Sequence, residues 1–217
     1  MDFELIKELI IVLPILFFSV ILHECGHGIV AYKCGDPTAK MLGRITLNPI
    51  PHIDLFGTII VPLVTTLFGN APFGWAKPVP VNFYNLRHPR RDMILVTLGG
   101  VGANILLAII GIIILLMIVH LPIQFNHNFI SVVVNLFVFL IQINVILAVF
   151  NLIPIPPLDG SRIVLAILPS PYAEQYAKLE TFGIIIVFAL AYLGAFSGIF
   201  ALVHKLLVIM FAVLFSG

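Results

Sequence analysis

His23-Glu24-Cys25-Gly26-His27 puts two imidazoles and a carboxylate within five consecutive residues. On a helix, side chains four apart differ in direction by about 40°, so both rings leave from one face and can bind one cation. Glu24 is rotated about 100° from His23. It can therefore sit beside such an ion without ligating it, where a general base for metal-activated water belongs. The pattern is short, and polar residues at i,i+4 also occur on the faces of soluble helices. Context separates the two readings. The surrounding helix is apolar from about Leu9 to Cys34, and an ionised group at bilayer depth costs at least about 2.5–3.5 kcal/mol on insertion scales. Three ionisable side chains there need a partner, and a divalent cation supplies one. His23 lies about 21 Å along the helix from Leu9, which predicts a site in the cytoplasmic half of the membrane core.

A catalytic zinc ion usually takes three protein ligands and keeps one position open. The third should be another ionisable group at membrane depth, and the candidates are few: Asp159, His204, Lys205, His52 and Asp54. Asp159 sits in the run Asn151-Leu152-Ile153-Pro154-Ile155-Pro156-Pro157-Leu158-Asp159-Gly160, directly after an apolar span. Prolines at 154, 156 and 157 cannot continue a helix. They predict an extended stretch that returns Asp159 toward the membrane, with Gly160 permitting a tight turn. Irregular backbone at that depth is tolerated where it is buried in protein or lines a water-filled cavity. The competing reading is that Asp159 caps a short helix over 160–168.

The elements that must hold these groups follow from composition. Of 217 residues, 61% are hydrophobic and 10% charged, against about 25% charged in soluble domains. The chain reads as an all-α polytopic membrane protein with about five to six transmembrane helices. Apolar segments run at about 9–34, 93–119 and 129–150, and 181–217 reads as two short spans separated by the turn Gly194–Gly198. The short apolar stretch Leu55–Phe68, broken by Pro62, reads as a re-entrant or β-hairpin-like segment after the first helix. The glycine- and proline-rich region 43–83 around it could pair with an extended substrate by strand addition, or only plug the cytoplasmic mouth.

Lys33, Lys40, Arg44, Lys77, Arg87, Arg90 and Arg91 make 33–91 the basic side, whereas 120–128 holds no Lys or Arg. The positive-inside rule then places 33–91 in the cytoplasm and predicts a multi-pass protein of the cell membrane. Net charge is +1 with no basic block, which argues against a nucleic-acid partner. Cys25 and Cys34 are about 13 Å apart on one helix, too far for a disulfide. The acidic N-terminus lacks a basic n-region and reads as a retained helix rather than a signal peptide. Residues 1–217 read as a single membrane-embedded domain.

H-E-x-x-H at 23–27, followed over a hundred residues later by N-x-x-P-x-P-x-L-D-G at 151–160, resembles the site-2 protease family of intramembrane zinc metalloproteases. Similar to small bacterial and archaeal members are Asn48-Pro49 with His52-Ile53-Asp54 and Gly57-Thr58, the run Phe73–Asn82, Asn85-Leu86-Arg87 with Pro89–Asp92, and Gly100 with Asn104. The resemblance covers roughly residues 15–185. It implies that His23, His27 and Asp159 bind Zn2+, that Glu24 is the base, and that Asn151 stabilises the oxyanion. It further implies transmembrane protein substrates cleaved within or near their spans. Val101 departs from the family, which has a proline there, and an effect on helix packing is expected. No PDZ or CBS module is visible.

Two other classes compete. A metal transporter also buries His, Asp and Glu in the membrane, but usually draws ligands symmetrically from repeats, and this sequence has none. A catalytically inactive relative would not need Glu24 beside both histidines.

Overall fold

The computed structural model describes residues 3–61, 63–64, 74–120 and 127–215, and every regular element among them is helical. Four helical segments are long and apolar enough to cross a membrane: Val12–Cys34, Pro89–His120, Phe129–Asn151 and Ser170–Tyr192. A shorter apolar helix covers Ser197–Val213. The chain is a membrane protein.

Helix α1 spans Phe3–Cys34. It stops at Gly35, whose φ of +112° only glycine adopts cheaply. The Asp36 amide reaches back to the Ala31 carbonyl at 2.9 Å, which closes a Schellman-type end. A single turn α2, Thr38–Met41, follows. Helix α3 is Pro89–His120 and α4 is His127–Asn151. Short helices α5 (Gly160–Ile167) and α6 (Ser170–Ala177) lead through a 3-10 turn, Lys178–Phe182, into α7 (Gly183–Tyr192). Helix α8 runs Ser197–Phe215 after a turn at Gly194, where φ is +74°. The region 181–217, expected to hold two short spans, contains helices α7 and α8. Alone, α7 is about 15 Å long, so a crossing there must draw on the preceding α6 segment.

Contacts divide the chain into two compact units, residues 1–100 and 101–217. In the first, Ala31, Leu86 and Val96 form a buried cluster. Asp36, fully buried, ties the end of α1 to the later loop. It accepts from the Asn82 amide at 2.7 Å, the Asn85 side-chain amide at 2.9 Å, and the Thr38 amide and hydroxyl. In the second unit, Ala108, Leu115, Ile141, Val203 and Leu207 bring together α3, α4 and α8. There the fully buried Asn104 donates to Asn144 Oδ1 at 2.8 Å, a bond between α3 and α4.

The stretch Leu55–Phe68 lies partly outside the described residues. Its described beginning, Leu55–Ile60, is a π-helical turn capped by Asp54, which accepts from the Gly57 amide. The limbs on either side are cross-tied: the Lys77 amide donates to His52 O and the Trp75 amide to Gly57 O. No ladder of paired strands forms among the described residues. Pro78 and Pro80 remove donors from one limb, which accounts for it.

Candidate metal centre and active site

His23 and His27 lie on one face of α1, both buried. Their Nε2 atoms are 2.9 Å apart and the rings meet edge to face, with centroids 4.5 Å apart. Two imidazole lone pairs at that distance repel unless a proton or a cation lies between them. The spacing is a few tenths of an ångström under the about 3.3 Å separating two nitrogens on a tetrahedral zinc.

The His27 tautomer follows from its other nitrogen. Nδ1 lies 2.8 Å from the Val96 carbonyl of α3, which can only accept, so Nδ1 carries the hydrogen. In the neutral ring Nε2 then keeps its lone pair, the form that ligates a metal. The neighbouring glycines make this approach possible. A Cβ on Gly100 would stand 2.5 Å from His27 Cε1 and Nε2 and 2.8 Å from His23 Cε1. One on Gly99 would stand 2.7 Å from the Gly26 carbonyl. The paired nitrogen donors fit a cation, and the missing Cβ of Gly100 leaves the two rings room to converge.

Glu24, one residue round the helix, is half-buried, and its Oε2 accepts from the Val79 amide at 2.7 Å. Cys25 faces elsewhere and donates its thiol to the Thr46 carbonyl at 3.2 Å. That carbonyl also takes the Nε2–H of the buried His52 at 2.9 Å. His52 thus serves the loop, and Asp54 caps the π-helical turn.

In the second unit, α4 ends at Asn151 because the prolines forbid another turn. The stretch expected to be extended is instead a chain of tight turns, with amide-to-carbonyl bonds Ile155–Ile153, Leu158–Ile155 and Ser161–Leu158. Each proline has lost its donor, and the remaining amides close short loops. Gly160 is needed for space and not for a left-handed turn, since a Cβ there would strike the carbonyls of Leu152 and Ile153. Asp159 occupies the position before α5 but makes no capping bond to it, which removes the capping reading. Asn151 donates one amide hydrogen to Leu147 O at 3.0 Å and has a second to give.

The profile of peptidase family M50 matches residues 11–129 and 122–194. The chain belongs to peptidase family M50. The expected resemblance to the site-2 proteases is thereby met. Over 175 residues it is 39% identical to a relative from Bacillus subtilis strain 168 named "Putative zinc metalloprotease YwhC", covering 81% of this chain and 77% of that one. It is 28% identical over 173 residues to "Putative zinc metalloprotease Rip2" of Mycolicibacterium smegmatis, covering 79% of this chain and 62% of the relative. It is 28% identical over 158 residues to "Zinc metalloprotease MJ0392" of Methanocaldococcus jannaschii, covering 73% of this chain and 34% of that longer one. No solved structure shows a significant match.

Against this M50 frame, two groups escaped the sequence reading, the Val96 carbonyl and the Val79 amide. Both are backbone atoms and carry no residue-type signature. The only available signals were indirect: the Gly99-Gly100 pair, which permits close helix approach, and the Pro78-Val79-Pro80 run, which isolates one donor.

Proposed function

We propose that this M50 protein is an intramembrane zinc endopeptidase whose whole chain works as one membrane-embedded domain, cleaving transmembrane proteins within or near their spans. His23, His27 and Asp159 are its metal ligands, Glu24 its general base and Asn151 its oxyanion donor. The observation that carries the reading is the His23–His27 pair, two buried rings converging at Nε2 with one tautomer fixed by Val96. Zinc is the metal named for the relatives. Two imidazoles and a carboxylate are a donor set of the kind that holds a catalytic zinc ion.

When bound, zinc lowers the pKa of a coordinated water toward about 7 and polarises a carbonyl. The protein's own groups do the rest. His27 is aligned by its Nδ1–H bond to Val96. Glu24 accepts the proton of the attacking water at its carboxylate and delivers it to the leaving amine. Asn151 turns its amide toward the developing oxyanion, a kind of contact worth about 10²–10³ in rate in soluble proteases. A helical substrate has its carbonyls engaged, so the cleaved segment enters unwound. By the distribution of Lys and Arg, the catalytic residues lie in the cytoplasmic half of a cell-membrane protein.

The transporter alternative gains nothing from the family assignment. Glu24→Gln should retain zinc yet lower cleavage of a reconstituted single-span substrate by at least about 10². Normal cleavage by that variant would overturn the base assignment, and zinc flux across liposomes would favour a transporter.

A further inference from the structure

The segment after Trp75 contains an unusual donor pattern. In Lys77-Pro78-Val79-Pro80-Val81, both neighbours of Val79 are prolines, so Val79 carries the only backbone N–H between Lys77 and Val81. A residue preceding proline is biased to extended conformations, which stiffens the run. Its surroundings pin it further. Arg44 donates to the Lys77 and Pro78 carbonyls at 2.9 and 3.2 Å. The Lys77 amide is bound to His52 O at 2.9 Å, and Asp36 holds the Asn82 amide at 2.7 Å. The buried Val79 side chain lies over α1 at Gly28, where an added Cβ would meet Val79 Cγ1 at 3.1 Å. One turn earlier on that face, Glu24 Oε2 receives the Val79 N–H at 2.7 Å.

We propose that Val79 is a positioning residue for catalysis: its isolated N–H, held by the pinned 75–82 strap, fixes one carboxylate oxygen of Glu24 and leaves the other turned to the reacting water. This rests on the reading of Glu24 as the base. A glutamate on a helix has three side-chain torsions, and a charge-assisted bond to an immobile amide removes most of that freedom. The strap thus acts as part of the machinery and not only as cover. Substrate must be accommodated with residues 77–81 in place.

The full chain in detergent tests the contact first. Amide hydrogen exchange at Val79 should quicken by about tenfold or more in Glu24→Ala, with exchange at Asn82 unchanged. Equal Val79 rates in the two proteins would overturn the proposal. In proteoliposomes with a single-span peptide substrate, Val79→Pro deletes the donor. It should lower kcat by about tenfold or more at unchanged KM and zinc content. Val79→Ala keeps the N–H and loses only packing, so its kcat should fall about tenfold less than that of Val79→Pro. Equal losses in the two variants, or a Val79→Pro enzyme with undiminished kcat, would also overturn the proposal. Full turnover by Glu24→Gln would instead remove the functional reading beneath it, whatever the exchange rates.

Discussion

At the scale of single residues, the site depends on atoms that are missing as much as on those present. Gly100 leaves room for both imidazoles, and an alanine there would press a methyl to within 2.5 Å of His27. Gly100→Ala should therefore cost at least about tenfold in zinc affinity, because the rings cannot both keep their aim. Competition with a chromophoric chelator measures it, and wild-type affinity in that variant would remove the steric argument. The His-Glu-Cys-Gly-His run was legible because helical periodicity alone sets its directions. The Val96 carbonyl that orients His27 was not, because a carbonyl belongs to every residue and only the close approach of α3 selects this one.

Among elements, two turns carry the load of placement. The Asp36 carboxyl fastens α1 to the 82–85 turn. Burial pushes its pKa up, but bonds from Thr38, Asn85 and the Asn82 amide outweigh that and hold it below the ordinary 3.8. A depressed carboxyl stabilises the fold above its ordinary pKa and loses that contribution as pH falls through the lowered value. Thermal unfolding in detergent should thus show an acid-labile component below about pH 4 that Asp36→Asn abolishes. An unchanged acid profile in that variant would assign the lability elsewhere. The second turn is the proline-rich one after α4. There Gly160→Ala should strip zinc while leaving α3, α4 and α8 packed, seen as lost metal with unchanged helicity. The position of this turn was readable from its prolines. Its path was not, since proline forbids a helix without choosing between an extended strand and successive tight turns.

For the whole molecule, composition alone set the solvent: so apolar a chain has no stable home in water, and the helical spans follow from that. The orientation rests on Lys and Arg placement and is tested at two exposed tyrosines, Tyr84 and Tyr192, which are 98% and 92% exposed. In a protein lacking Cys25 and Cys34, a membrane-impermeant maleimide should label Tyr84→Cys from the cytoplasmic face and Tyr192→Cys from the opposite face. Labelling of both from one face would break the assigned topology. The Asn104–Asn144 pair was foreseeable only in half: a lone asparagine in an apolar span needs a partner, but its identity depends on which helix lies alongside.

Metal content of the purified protein reaches the central claim most directly. The account predicts about one zinc per chain, kept in Glu24→Gln and Cys25→Ser and lost in each of His23→Ala, His27→Ala and Asp159→Ala. Full zinc occupancy in the Asp159→Ala protein, or loss in Cys25→Ser, would contradict it.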